Sequence, residues 1–537
     1  MSLRSKLSVA VAAVLVGLLG VFASSAAAKS GAKQGGTLRI DLFTDVDYTD
    51  PALDYLSTGW ELEYATCLKL LNYPDVNGPK TSQLQPEAAA GFPKVSAGGK
   101  VYDFTVNAGF TKFAPTGQAV TAANFKAAFD RNADPKMSSP ATAFMDDVVG
   151  ADKTPVSGVR VKGNHLIVTL TKAAPDFLAR VAMPFFCAVP TNLPHDPNGV
   201  EEPPSAGPYY IAERTPNKSI VLKKNPYYKG KRPHNVNQVV YTIGNSQEAI
   251  RLRVESGETD YAGGVGPPAA AYSEIGQKYG VNKGQFWVKQ QLGTYYLAMN
   301  NERPLFKDNP KLRRAVNFAI DRKAILTQSG AYAGKRTDQI LPPGMPGYTD
   351  ADLYPIKGPN VPFAKKLAQG ATRDGKVVLY TANDPARSAQ AQIVQFNLKQ
   401  IGLDVEIKQF ARAVQIDKEG TRGEPFDITM EGWIADYVDP YDFIDVLLNG
   451  KNLQPQHNNN VAYFNDPAYN AKMNAAARLS GAKRFSNYGA LDIDIMKNAA
   501  PLAPWRNLNS RVFLSSKVGC FTFNPIYTVN LAAVCLK

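Results

Sequence analysis

Gly432-Trp433-Ile434-Ala435-Asp436-Tyr437-Val438-Asp439-Pro440 ends a β-strand with an aromatic side chain and two carboxylates. The residues before it, Phe426-Asp427-Ile428-Thr429-Met430, favour extended chain, and Pro440 has no N–H to offer a ladder, so pairing stops there. Asp436 is therefore expected where a strand leaves its sheet, a common position for binding groups, although the same residues also suit an Asp-rich surface turn. Upstream, residues 376–381 predict a strand and residues 386–401 a helix closed by Gly402. Residues 403–410 predict a second strand on which Leu403, Val405 and Ile407 alternate. Strand, helix and strand at this spacing imply a parallel crossover and an α/β fold, with Asp436 at the end of the next strand.

The first half alternates in the same way. Residues 36–43 open as a strand, residues 101–106 alternate as a half-buried strand, and residues 166–171 predict another. Thr121 caps a helix that carries Phe125, Ala128 and Phe129 on one face and stops before Pro135. Asn309-Pro310 starts a helix on which Leu312, Val316, Ala319 and Ile320 share a face. The prolines from Pro184 to Pro208 suggest a return connection and a discontinuous domain.

Export is expected from the amino terminus. Arg4 and Lys6 precede an apolar run from Leu7 to Phe22, and Ala26-Ala27-Ala28 offers a cleavage site before Lys29. The run is shorter than the roughly 20 residues that cross a bilayer, and no later segment replaces it. No Cys follows the run to carry a lipid anchor, so a free periplasmic or secreted protein is expected. Removing Arg4 and Lys6 lowers the formal charge from +13 to about +11. That charge is spread along the chain without a nucleic-acid-binding motif, so no nucleic-acid partner is expected.

Cys67, Cys187, Cys520 and Cys535 permit two disulfides in three pairings. Cys520 and Cys535 flank the Asn524-Pro525 turn, which favours their pairing and leaves Cys67 with Cys187. His165, His195, His234 and His457 stand apart and no His or Cys pair has zinc-ligand spacing, so neither metal nor cofactor is expected. Ser480-Gly481-Ala482-Lys483 has the Ser-x-x-Lys spacing of penicillin-interacting enzymes, but no Ser-Asp-Asn or Lys-Thr-Gly accompanies it. Residues 330–335 resemble a phosphate loop shortened by one residue. Nothing in the sequence demands catalysis.

Several separated blocks, in order, resemble the bacterial extracellular solute-binding proteins of family 5, the dipeptide- and oligopeptide-binding proteins of ABC importers. They are the stretch from Leu84 to Phe110 with Gly98-Gly99-Lys100-Val101-Tyr102-Asp103-Phe104, Ser205 to Ile211, Lys224 to Tyr228, Glu255 to Asp260, Asn300 to Phe306 and Leu312 to Arg322. The resemblance implies a two-lobed periplasmic-binding-protein-like fold with an additional subdomain on the first lobe and a two-segment hinge. Lobe I would comprise residues 29–75, 206–291 and 503–537, its additional subdomain residues 76–205, and lobe II residues 292–502. The hinge is expected near Gly293 and near Pro501 to Trp505. Such proteins close their lobes around a ligand.

By the Gly-Trp-x-x-Asp motif, the resemblance assigns ligand contacts to Gly432, Ile434 and Asp436. Residues two apart on a strand can pair with an extended peptide, and Asp436 would hold its α-ammonium. Trp433 suits either a ligand side chain or the lobe core. Tyr296, past the hinge, and Ser57 and Thr58, in a first-lobe loop, are further candidates. No cationic residue is placed for a peptide carboxylate, so ligand length stays open. The expected protein is a monomer that delivers a peptide, or another small solute, to a membrane permease. A secreted hydrolase using Asp436 or Asp439, and a binder of unfolded chains, are the competing readings.

Overall fold

The computed structural model describes residues 34–537, and the leader expected at residues 1–28 lies outside them. Thr37–Leu42 is the strand expected at the start of the mature chain. Its Leu38, Ile40 and Leu42 point into one apolar cluster with Leu62, Val239 and Tyr241. It belongs to a five-stranded sheet ordered Tyr261–Ala262, Thr37–Leu42, Gln238–Ile243, Ser219–Lys224, Tyr209–Thr215. The first three strands are parallel and the remaining pairs antiparallel.

A four-stranded antiparallel sheet, ordered Lys94–Ser96, Val101–Thr105, His165–Thr169, Val159–Lys162, lies between two halves of that sheet in the sequence. Helix Ala122–Asn132 contributes Phe125 and Phe129 to the cluster that holds Phe104, Leu166 and Val168. It begins where expected, with the Thr121 N–H donating to Asn124 Oδ1 at 2.8 Å.

The second half builds a six-stranded sheet ordered Gly334–Lys335, Leu502–Phe513, Phe286–Met299, Ile428–Ile434, Lys376–Ala382, Asp404–Phe410. The last three strands are mutually parallel and joined by helices Pro385–Lys399 and Arg412–Gly420, which confirms the expected crossover. Apolar clusters cover both faces. Leu297, Leu312, Val316, Leu379 and Val394 lie in one cluster, and Ala298, Ile340, Phe443, Leu447 and Tyr488 in the other. The two-lobed arrangement implied by the resemblance is thus present.

Two long antiparallel strands, Phe286–Met299 and Leu502–Phe513, run from one lobe to the other. Phe286 and Phe513 pack with Ile250 and Ile275 at one end, while Leu297, Ala503 and Trp505 belong to the second-lobe core. Their ladder breaks between the pairs Gln290↔Asn509 and Thr294↔Asn507, where three residues oppose one. Gly293 stands in this break, beside Ile434; a β-carbon on it would lie 3.1 Å from the Trp433 carbonyl oxygen. On the returning strand the first irregularity lies at Asn507–Asn509; a second, between the pairs Tyr295↔Arg506 and Tyr296↔Pro504, leaves Trp505 unpaired, at the end of the segment 501–505 where a hinge was expected. Residues 502 and 503 there pair regularly with Ala298 and Leu297, beside the second-lobe core.

The structure joins Cys67 to Cys187, with Cα atoms 5.5 Å apart, and Cys520 to Cys535, 5.3 Å apart, the pairing expected. Strand Val518–Gly519 pairs with Cys535–Leu536 and brings the second pair together. Among the described residues no helix is long and apolar enough to cross a membrane.

Candidate ligand-binding site

The strand after Lys376–Ala382 lies on one side of it and the next, Ile428–Ile434, on the other. The connections therefore part at the carboxyl ends of these two strands, and a crevice opens where ligands bind in open α/β sheets. Pairing with Lys376–Ala382 covers only Ile428 and Thr429, so the strand from Met430 to Ile434 has a free edge on that side. The Gly432 N–H donates to Glu431 Oε1 at 3.0 Å, and the Met430 carbonyl accepts from Arg387 Nη1 at 2.7 Å and Gln415 Nε2 at 3.1 Å. Backbone groups of the alternate residues Met430, Gly432 and Ile434 therefore face that free edge. Gly432 also lets the Tyr295 ring lie across the strand, because a β-carbon at 432 would meet the ring at 2.8 Å.

Past the strand end, two carboxyls converge. Asp436 is 7% exposed and accepts from the Tyr55 hydroxyl at 2.9 Å, a contact between the second lobe and the first. Asp442 Oδ2 accepts from the Asp436 N–H at 3.0 Å and from Trp433 Nε1 at 3.3 Å, while its Oδ1 is buried without a partner. Burial pushes the Asp436 carboxyl up to about 7, opposed by its hydrogen bonds to Tyr55 and Asp442. Burial, then the Asp436 charge, raises Asp442 well above the carboxylate range. Asp436 has no cationic side chain within ion-pair distance among the described residues, so the protein supplies nothing to compensate the negative charge that appears when the pair ionises.

The other end of the free edge is cationic. Arg412 forms a two-point ion pair with Glu431, which against its burial holds the Glu431 carboxyl down to about 2. Arg506 lies over the Tyr295 ring at 4.1 Å and Arg387 at 5.2 Å, and Trp505 packs on Arg506 at 5.0 Å. Despite burial, these guanidiniums with Arg412 pull the Tyr295 phenol below its ordinary value. Burial lowers Arg506 itself to about 10.

Gly432, Ile434 and Asp436 lie along this crevice, whereas the Trp433 ring packs against the second-lobe cluster of Phe443 and Leu447; Gly432, Trp433 and Ile434 are half-buried. Tyr296, 1% exposed, turns instead into the apolar cluster with Leu292, Ala298 and Ile340; its neighbour Tyr295 faces Gly432. Ser57 and Thr58 do not lie in a loop but open helix Ser57–Thr66. Ser57 is exposed and Thr58 half-buried. That helix is buried on nearly every side, Glu61 and Glu63 included, so it shows no polar stripe to announce it. Tyr55, two residues before it, Asp442, Arg387 and Arg506 were not among the expected site residues.

Residues 83–454 match the model of the bacterial extracellular solute-binding proteins, family 5 Middle. The chain belongs to this family. Among family-5 relatives, it is 24% identical over 494 residues to the probable D,D-dipeptide-binding periplasmic protein DdpA of Escherichia coli, covering 90% of each chain. It is 25% identical to the periplasmic oligopeptide-binding protein OppA of the same organism, covering 78% of this chain and 79% of that one. The fold is that of the clavulanic acid biosynthesis oligopeptide binding protein 2, with TM-score 0.86, 23% identity, and 94% and 96% of the two chains covered. The periplasmic binding protein DppA of Helicobacter pylori in complex with the peptide STSA aligns with TM-score 0.77 at 21% identity, over 94% and 98% of the chains. Family membership makes this chain an extracytoplasmic solute-binding protein.

Proposed function

We propose that the protein captures short peptides between its lobes and delivers them, as a monomer, to the membrane permease of an ABC importer. The observation that carries this reading is the free strand edge at Gly432 and Ile434, ending on a buried carboxyl with no cationic partner. An extended peptide adds to that edge as a strand, with backbone hydrogen bonds that ignore its side chains. Its α-ammonium meets Asp436, and its chain runs back towards Met430, so the carboxyl end arrives at Arg387. Gly432 to Asp436 spans at most about 13 Å of extended chain, which suits peptides of roughly three or four residues. The lobes, taken as residues 34–75, 206–291 and 503–537 against 292–502, with 76–205 as the additional subdomain, rotate about residues 290–296 and 504–509, where the ladder breaks twice. DdpA, OppA and the STSA-bound DppA are similar proteins whose names and contents are peptide binders, which supports the same substrate class here.

Calorimetry with trialanine, followed by chromatography of the recovered peptide, tests the reading. A binder forms a one-to-one complex and returns the peptide intact, and N-acetylation weakens it strongly. Turnover of the peptide would favour the hydrolase reading. Equal binding of the free and acetylated peptides would move the ligand to a solute without an amine.

A further inference from the structure

The cationic end of the crevice carries more charge than one terminal carboxylate needs. Arg506 is 8% exposed, leaves a buried Nε unsatisfied, and has only the Tyr295 side chain as a polar neighbour for its five N–H groups among the described residues. The Arg387 guanidinium donates only to the Met430 carbonyl among the described residues. The adjacent carboxylate, Glu431, is committed to Arg412 and to the Gly432 N–H. Arg511 is likewise engaged, donating to the Ser329 and Ala331 carbonyls and stacking on Tyr272. Arg387 and Arg506 therefore remain as two positive charges within 5.2 Å of one ring centre, and among the described residues neither has a carboxylate within ion-pair distance; Glu431, already paired with Arg412, acts on Arg387 only from farther off. Burying like charges together is unfavourable unless something pairs with them.

Building on the peptide reading, we infer that this end of the cleft receives a doubly negative group, so that the favoured peptides end in Glu or Asp. The α-carboxylate and the side-chain carboxylate of one terminal residue bridge Arg387 and Arg506 across Tyr295. A terminal phosphoryl group presents the same charge. Charge-assisted, two-point contacts to guanidinium are the strong class of hydrogen bond, and the second carboxylate adds one set of them.

Calorimetry with Ala-Ala-Glu, Ala-Ala-Gln and Ala-Ala-phosphoserine reads this directly. Ala-Ala-Glu should bind about tenfold to a hundredfold more tightly than Ala-Ala-Gln. Either Arg506→Gln or Arg387→Gln should weaken both peptides but erase the difference between them, so that Ala-Ala-Glu binds the variant no more tightly than Ala-Ala-Gln binds the same variant. A phosphoserine peptide tighter than the Glu peptide would identify the dianion as phosphoryl rather than dicarboxylate. Arg387 is half-buried with one guanidinium hydrogen bond, so its variant carries the test if Arg506→Gln fails to fold. Equal binding of the Glu and Gln peptides, or a preference that survives both substitutions, overturns the inference while leaving the peptide reading intact. If no peptide binds, the peptide reading falls and amine-free probes decide. Glutarate or inorganic phosphate, but not acetate, should then raise the melting temperature of the unmodified protein and not of Arg387→Gln. Failure of both dianions there overturns the inference as well.

Discussion

Asp436 makes ligand capture a proton-linked event, and Asp436→Asn tests it. In the ligand-free protein burial holds this carboxyl at about 7, so it is half protonated at neutral pH. An α-ammonium at 436 favours the ionised form and lowers that value in the complex. Affinity is therefore full above pH 7 and falls as pH drops through 7, because the proton must first be expelled. Two pH units below 7 this costs about 2.7 kcal/mol, so binding at pH 5 should be roughly a hundredfold weaker than on the alkaline plateau. Asp436→Asn keeps the shape and removes the charge, a loss of about 3 to 5 kcal/mol where one partner of a buried pair is deleted. The variant should bind more weakly by between two and nearly four powers of ten on the plateau and lose the pH dependence. N-acetylated peptide should show the same flat profile with the unmodified protein and little further loss with the variant, since both changes delete one interaction. Calorimetry from pH 5 to 8 in buffers of different ionisation enthalpy measures affinity and protons together, with about 0.9 proton released per ligand at pH 6. Constant affinity across that range, or additive losses from mutation and acetylation, would refute the assignment of the amine to Asp436.

Gly432→Ala places a methyl group against the Tyr295 ring and should cost about 1 to 3 kcal/mol in stability, read by urea denaturation, together with a clear loss of peptide affinity. Tyr55→Phe removes a donor to Asp436 from across the cleft. Affinity should fall by about tenfold to a hundredfold, and the ligand-free radius of gyration in small-angle scattering should rise. Replacing Cys520 and Cys535 by Ser opens a crosslink between residues 15 apart. It should lower stability by about 3 kcal/mol in the chain-entropy model, and the unmodified protein, unfolded without reductant, should show no free thiol.

Elements whose apolar residues follow one period were legible in the sequence. Thr37–Leu42 and Val101–Thr105 alternate, and the helices begun by Thr121 and Asn309 carry their caps and apolar faces in plain view. The strand end at Asp436 was legible for the same reason, because Pro440 and the Asp-rich turn interrupt a run of extended chain. Tyr295 and Tyr296 differ by one residue, and on a strand that single step exchanges cleft for core. The pairing with Leu502–Phe513 is irregular at Gln290–Thr294 and again between Tyr295 and Tyr296, and no turn residue other than Gly293 signals it. Arg506 joins the site through strand pairing with Tyr295 from more than 200 residues away, and local pattern carries no trace of such a partner. Asp442 was nearer to hand, six residues after Asp436 on helix Tyr441–Leu448, but its role rests on burial, which sequence does not show.

The turn that holds Asp436 is gripped by the opposite lobe. The Tyr437 ring is fully buried among first-lobe aromatics, 6.3 Å from Phe144, and its hydroxyl donates to Asp176 at 3.1 Å. The Val438 N–H donates to the Tyr73 hydroxyl at 3.2 Å, and Arg484, paired with Asp439, stands 3.7 Å from Asp176. Opening the lobes must withdraw Tyr437 from that cluster, about 1.5 to 3 kcal/mol for a side chain of its class, and break these polar contacts, each worth about 1 kcal/mol net. A ligand that must swing a two-state equilibrium from 1:99 to 99:1 has to supply about 5.5 kcal/mol. Because contacts of similar size already favour closure, the ligand supplies only the remainder. What it adds is the cation missing beside Asp436, so closure without an amine leaves a buried carboxyl only half ionised at neutral pH, whereas closure on one leaves it ionised and paired.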